Sequence, residues 1–484
     1  MLSSASPNSV TLMDEIMPWC DKWFDPDAAL VVNPPGSFAK EGRAASLHLV
    51  TQSAWYAYGL LRRNEDDDIT TANRIFKRLL TLQYNAPQAP FHGTWARFLE
   101  SPTPGADAKV WDDYDPNFRQ FVGTAFSLAL IDYRHAIIPH LARNMQFAIS
   151  LAVQGEPQHR VQPFYSNIAL MRAWLEGHYA GLIGDKKLAV SSEFFARAIV
   201  ERYWQAEAFD EFNSATYYGF DLFALRLWQL FPPSEFYCET ASAIEDSLWK
   251  TVAEFYNPCL KNLCGPYSRA YSVDMLSSVG ILGLWIWKAL GRQCAPVPDL
   301  SESKVLIQSH DLFFAPIVDR LDAVLPDAAK VSILNPVFPR TIHKQLPDNR
   351  VVSAWMTADL MIGGEASDKK TASDKKTLWG DQFMPVTAHW RNGSGRISAL
   401  RLAYDGVVQA FVEPGLFTVD CQDGTTNPEF IFHNVNSFSQ IGSNEVIADG
   451  LHLALCSDGE LSVKQFSPLE HSVLLPRKAC ISIV

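Results

Sequence analysis

Four short stretches of this sequence join tyrosine to amide, hydroxyl and guanidinium side chains: WDDYDPNFRQF at 111–121, QPFYSNIALMRAW at 162–174, FNSATYYGFDLF at 212–223 and GPYSRAYSVDM at 265–275. A fifth, APFHGTWARF at 89–98, adds His92 and Trp95. Phenols can move protons, and amides and guanidiniums can hold an anion, so these types together suit acid–base chemistry on an anionic molecule. Ordinary structural roles explain part of the pattern. Asp115-Pro116 and Asn213-Ser214 are good helix-start chemistry, and His92 and His389, each taken alone, read as satisfied structural histidines. A single tyrosine at a core rim is packing. Capping does not explain why Tyr165, Tyr217, Tyr218, Tyr267 and Tyr271 stand in or beside these starts, together with Arg119, Asn167, Arg172 and Arg269.

The elements that would have to position them follow from periodicity. Helical spacing recurs from 43 to about 291 and predicts helices near 43–63, 69–84, 116–133, 136–153, 164–183, 187–206, 214–231, 238–255 and 271–291. Alternate helices are apolar on most faces (ASLHLVTQSAWYAYGLL, GTAFSLALIDY), and the ones between carry a charged stripe (TTANRIFKRLLTL). A helix apolar all round must be buried and an amphipathic one faces water on one side. The alternation therefore predicts a double ring of antiparallel hairpins, an (α/α) toroid of six hairpins or an incomplete variant, over 1–300. All inner helices would run the same way, so the four clusters would ring one mouth, with helix N-termini favouring an anion there. A connection is expected over 301–335. From 336 to 484 the period becomes two, in runs closed by Asn-Gly, Asp-Gly or Pro-Gly, which predicts an antiparallel β-sandwich. The tandem SDKKT at 367–371 and 373–377 reads as a solvated loop between strands.

Composition narrows the function. Of the 484 residues 48% are hydrophobic and 19% charged, enough for a large core. Lys+Arg 41 against Asp+Glu 53 leaves a net charge of −12, which argues against nucleic acid or an anionic membrane as partner. MLSSASPNSVTLMDEIMPWC lacks a basic segment followed by an apolar one, so a cytoplasmic location is expected unless a leader was removed. The eight cysteines are scattered and read as thiols rather than a disulfide framework. Cys259 and Cys264 have no partner pair at zinc spacing, so no metal and no organic cofactor is expected. GxSxG, HExxH, a Walker loop and a dinucleotide fingerprint are all missing. The acidic runs at 65–68 and 112–115 lack the spacing and order of terpene-cyclase motifs.

A helical toroid followed by a β-sandwich, with Tyr, Asn, His and Arg at the junction, resembles polysaccharide lyases of the heparinase II/III and alginate-lyase type. FNSATYYGFDLFAL, GPYSRAYSVDM and PVTAHW also resemble a largely uncharacterised fungal group with that layout. The resemblance implies β-elimination on a uronate-containing saccharide. Asn167, Arg269 or Arg119 would neutralise the sugar carboxylate, and Tyr267, Tyr271 or His389 would take the α-proton. Asn213, Tyr217, Tyr218, Tyr165, Trp95 and His92 would line the substrate site. A phenol acting as base requires a nearby cation, and Arg269 stands two residues from both Tyr267 and Tyr271. A glycoside hydrolase using Glu211 and Asp221 is a rival within sugar chemistry. The alternative from another class is a fungal natural-product cyclase or isomerase, a pericyclase or terpenoid cyclase, holding an apolar metabolite in the aromatic cavity. A sugar-binding relic without turnover is the third.

Overall fold

The computed structural model describes residues 11–35, 37, 46–301, 306–370, 382–456, 460–467 and 470–483. The chain divides into two compact units. A helical unit takes Met1–Glu201, Gly219–Glu245 and Ser277–Val324; a sheet unit takes Arg202–Tyr218, Asp246–Leu276 and Leu325–Val484. The expected class, helical hairpins followed by an antiparallel sheet, is what the chain adopts.

The helices are α1 (Leu12–Asp21), α2 (Val50–Arg63), α3 (Asp68–Leu80), α4 (Phe118–Tyr133), α5 (Pro139–Gln154), α6 (Ser166–Ile183), α7 (Lys186–Trp204), α8 (Tyr217–Leu230), α9 (Glu235–Phe255), α10 (Ile281–Leu290), α11 (Ala315–Leu321) and α12 (Asp327–Leu334). A small sheet of β1 (Phe24–Asp25), β2 (Leu30–Val32) and β3 (His48–Leu49) precedes α2. In α2 every residue from Val50 to Leu61 is buried, whereas α3 buries only Asp68, Ala72, Asn73, Ile75, Phe76 and Leu79, one stripe at helical spacing. This is the inner and outer alternation written in the sequence: α2 packs on α4 and α4 on α6, with α3 on α2 and on α5. Indole N–H groups tie the inner layer, Trp228 to the Leu170 carbonyl (3.0 Å) and Trp285 to that of Gly219 (2.9 Å). At its centre Trp55 meets Phe314 edge-on with centroids 4.9 Å apart, and Phe220 lies 5.9 Å from Trp55.

Two boundaries differ from the expectation. The helix expected over 271–291 is confined to Ile281–Leu290. Upstream, the Ser272 hydroxyl accepts from the Asp274 N–H, and the Asp274 carboxylate accepts from the Leu276 N–H and the Asn262 amide. These local side-chain bonds offer the backbone a non-helical alternative. The stretch expected as a connection over 301–335 carries a 3₁₀ turn, Ser309–Phe314, and the helices α11 and α12.

That 3₁₀ turn buries Asp311 beside His310, with 3.6 Å between His310 Nε2 and Asp311 Oδ1. Burial pushes the Asp311 carboxyl well above its ordinary range and the His310 ring down to about 4, so both sit neutral. A carboxyl whose folded pKa is raised stabilises the fold below its unfolded pKa and loses that contribution as pH rises through the folded value. Asp311→Asn, which mimics the neutral acid, should therefore leave the urea midpoint near that of the parent at pH 4 and raise it at pH 7. A lower midpoint at pH 7 would contradict the neutral assignment.

The sheet unit opens with a short pair, β4 (Tyr256–Asn257) and β5 (Asn262–Leu263). Its main strands are β6 (Arg340–Leu346), β7 (Arg350–Met356), β8 (Leu360–Lys370), β9 (Val386–Arg391), β10 (Ile397–Ala403), β11 (Val407–Glu413), β12 (Leu416–Gln422), β13 (Glu429–His433), β14 (Phe438–Ile441), β15 (Glu445–Ala448), β16 (Leu451–Leu455), β17 (Ser462–Ser467), β18 (Glu470–Leu474) and β19 (Lys478–Ile483). Their order is β14-β15-β16-β19-β12-β11-β8-β9-β10-β13-β18-β17, with β7 branching from β8 and β6 from β7. The main-strand pairings are antiparallel. The sheet closes over its own core: Phe417 of β12 lies 5.8 Å from Phe430 of β13, strands that are not sheet neighbours. In β12 the buried positions are Phe417, Val419 and Cys421, the period of two expected of a half-buried strand. The first SDKKT copy, through Lys370, ends β8 rather than forming a loop, with Ser367 buried and paired to Val408. Thr371 and the second copy at 373–377 lie outside the described residues.

Candidate active site

The sheet unit brings three of the expected residues into direct contact. The Tyr217 and Tyr271 hydroxyls are 2.5 Å apart, and the Arg269 guanidinium lies over the Tyr217 ring, 4.0 Å from its centroid. Arg269 is held in turn by the buried Glu211 carboxylate (2.9 Å) and by the Gln382 side-chain carbonyl (2.7 Å). Tyr271 is 37% exposed and Tyr217 6%, so one phenol of the pair is open to solvent and the other is fixed behind it.

Local structure explains this placement. Ser214 accepts from the Tyr217 N–H through its hydroxyl (3.2 Å) and from the Tyr218 N–H through its carbonyl (3.0 Å), which starts α8 and sets the Tyr217 ring. Asn213 adopts a left-handed conformation (φ 57°) and donates its amide to the Cys264 and Pro266 carbonyls at 2.6 and 3.0 Å, clamping the segment that leads to Tyr271. That segment pairs with 382–384: Tyr267 exchanges two backbone hydrogen bonds with Met384, and the Ala270 N–H donates to the Gln382 carbonyl. Gly363 in β8 admits the approach, since a Cβ there would come 1.7 Å from the Gly265 carbonyl oxygen.

Behind the pair the other expected groups are buried. The Tyr267 hydroxyl donates to the Leu263 carbonyl (2.5 Å), and burial pushes this phenol far up. His389 Nε2 donates to the Val273 carbonyl (2.6 Å), which makes Nδ1 the lone-pair nitrogen, and burial lowers the ring's affinity for a proton. The two rings stand 6.5 Å apart, and both residues are buried, His389 completely. Tyr218 is buried against Phe212.

The remaining expected residues belong to the helical unit. Arg119 is fully buried and donates to the Pro90 and His92 carbonyls at 2.7–2.9 Å; burial lowers its pKa to about 10. His92 Nδ1 accepts from the Ala86 N–H (3.1 Å), and Trp95 is buried with its indole N–H on the Leu79 carbonyl (3.1 Å). The Arg119 bonds tie α4 to this loop, the Trp95 bond ties the loop to α3, and the His92 bond closes the loop on itself. Asn167 is buried in the first turn of α6. Within the helical unit the starts of α4 and α6 are neighbours, since Asn117 donates to the Tyr165 hydroxyl (2.7 Å), and Ser166 donates to the Asp221 carboxylate (3.4 Å).

Several polar groups here were not singled out by sequence. Glu156 receives Arg160 twice (2.7 and 2.8 Å) and the Gln120 amide (2.9 Å), while Arg160 also reaches Asn117 (2.7 Å). Glu156 and Arg160 lie in the loop between α5 and α6, so helical spacing gave no signal for the pair. In the sheet unit a buried Arg350 meets Glu365 bidentately (2.7 and 2.9 Å) and also donates to the Ser268 hydroxyl and the Asp210 carbonyl. Gln382 gave no signal in the sequence. Among the described residues no group of three or more His, Cys, Asp or Glu could hold a metal ion, and no helix is long and apolar enough to cross a membrane.

No curated protein matches the sequence. One solved structure similar to this chain is a point mutant of the chondroitin AC lyase from Streptomyces coelicolor A3, 11% identical, with 99% of this chain and 78% of that one covered and a TM-score of 0.42. A family model described as a domain of unknown function matches residues 10–322. By that match, over well more than half of its length, the chain belongs to the family named for this domain, DUF8769.

Proposed function

We propose that this protein is a lyase that cleaves a uronate-containing saccharide by β-elimination, with Tyr271 as the proton-transferring group. The supporting observation is the Tyr217–Tyr271 hydroxyl contact at 2.5 Å, with the Arg269 guanidinium over the Tyr217 ring and Tyr271 open to solvent. In the reaction Tyr271, ionised, takes the proton next to the uronate carboxylate. The C–H electron pair becomes the new C=C bond, the glycosidic C–O bond breaks, and the departing oxygen receives the proton from the same phenol. Tyr217 stabilises the ionised phenol by hydrogen bonding, and Arg269 supplies positive charge at the pair. Tyr267 and His389, bonded to carbonyls inside the core, take the role of fixing the 263–273 segment rather than of touching substrate. Asn213, with its amide on two carbonyls, has the same role.

The test is direct. The purified chain is incubated separately with chondroitin, hyaluronan, alginate and heparin, and products are followed by ultraviolet absorbance and mass spectrometry. A lyase gives fragments whose masses sum to the parent with no water added, and one fragment absorbs. Fragments that sum to parent plus water would overturn the reading in favour of hydrolysis. No cleavage of any uronate glycan would overturn it in favour of the apolar-metabolite or relic readings.

A further inference from the structure

Strands β16 and β19 pair antiparallel with Leu453 opposite Ile483 and Leu455 opposite Ile481. One step further the same register sets Cys456 opposite Cys480, and the Cys456 N–H donates to the Cys480 carbonyl at 2.7 Å. Opposite residues of an antiparallel pair project from the same face, with Cα atoms about 5.5 Å apart where they are hydrogen-bonded. That separation lies at the centre of the range a disulfide spans. The face is the outer one: along β19 Ala479 and Ile481 are buried while Cys480 is part-exposed, and beyond β16 Cys456 is exposed. We propose that Cys456 and Cys480 are a redox modification site, a thiol pair that closes to a cross-strand disulfide by exchange with a small-molecule disulfide.

The Cys480 thiol is pushed up by burial and then by its neighbour Cys456, a mutual influence expected of thiols side by side. Cys456, the exposed member, is therefore the attacking group. Its thiolate displaces one thiolate from the small disulfide and forms a mixed disulfide. The Cys480 thiolate then attacks the Cys456 sulfur and expels the second thiolate. Two protein thiols are oxidised and one small disulfide is reduced to two thiols, so electrons and protons balance. The other six cysteines have no such relation: Cys20, Cys264 and Cys421 are buried, and Cys238, Cys259 and Cys294 belong to separate elements. Closure would join β16 to β19 covalently and fasten the hairpin of β17 and β18 between them.

The full chain is equilibrated with oxidised or reduced glutathione, thiols are counted after unfolding, and peptides are mapped by mass spectrometry. Oxidation should leave six of the eight thiols titratable, yield one linked peptide pair containing Cys456 and Cys480, and raise Tm by about 5 °C. Cys456→Ser and Cys480→Ser should each remove the linked peptide and the Tm shift, while their reduced forms melt close to the parent. Eight titratable thiols, glutathione carried on Cys456 without closure, or a linkage through another cysteine would overturn the proposal.

Discussion

Replacing Glu365 with alanine should cost the sheet unit about 3–5 kcal/mol, because it leaves a guanidinium buried without its counter-ion. Arg350 and Glu365 have side chains 1% and 0% exposed and meet through two bonds of 2.7 and 2.9 Å, so neither solvent nor salt screens them. Arg350 keeps only neutral acceptors in the variant, the Ser268 hydroxyl and the Asp210 carbonyl. Those contacts give the pair a second effect. Ser268 and Asp210 immediately precede Arg269 and Glu211, so the ion pair anchors both chains that meet at the phenol pair. Glu365→Ala should therefore lower the urea midpoint and also raise hydrogen exchange at 268–271. A double variant, Arg350→Leu with Glu365→Leu, should regain most of the lost stability because no charge remains buried, but not the protection at 268–271. A loss under about 1 kcal/mol for Glu365→Ala would show that water reaches Arg350 and that the pair is not an anchor.

The helices were legible because burial is written into their periodicity. The all-apolar run of α2 and the one-sided pattern of α3 can be told apart without coordinates, and so can the alternating strand β12. The limits appear where long-range pairing decides. The stretch 265–275 looks like a helix start in sequence, yet Ser272, Asp274 and Asn262 hold it open and Met384 pairs with it from 117 residues away. The contacts of the candidate site were legible in part. Residue types pointed to a cluster of phenols and a guanidinium, and Tyr217, Tyr271 and Arg269 do touch. Which tyrosine faces solvent was not readable, because Tyr267 and Tyr271 are four apart in one irregular segment and only the bridge to Met384 turns the first inward. Arg119, Trp95 and His92 carry the right chemistry for a rim, but the Arg119 guanidinium, the Trp95 indole N–H and His92 Nδ1 bond backbone groups of the 86–92 loop and of α3.

The same contrast sets the sharpest expectation for activity. If the chain is the uronate lyase proposed above, Tyr271→Phe should lower kcat by about 10²–10⁴-fold, the range a positioned acid–base group supplies, with little change in KM. Stability should hardly move, since the lost hydroxyl is at a part-exposed residue. Tyr267→Phe should do the reverse. It removes a buried bond to the Leu263 carbonyl, which should cost about 1 kcal/mol of stability, and on the proposed mechanism turnover should stay within a few-fold because this phenol is buried and held by that carbonyl. Tyr217→Phe separates chemistry from scaffolding. It deletes the hydrogen-bond partner of the Tyr271 hydroxyl but leaves the ring under Arg269, so kcat should fall less than for Tyr271→Phe. If Tyr267→Phe abolished turnover while Tyr271→Phe left it intact, the reacting phenol would be the inner one, and the 263–273 segment would have to open during catalysis to expose it.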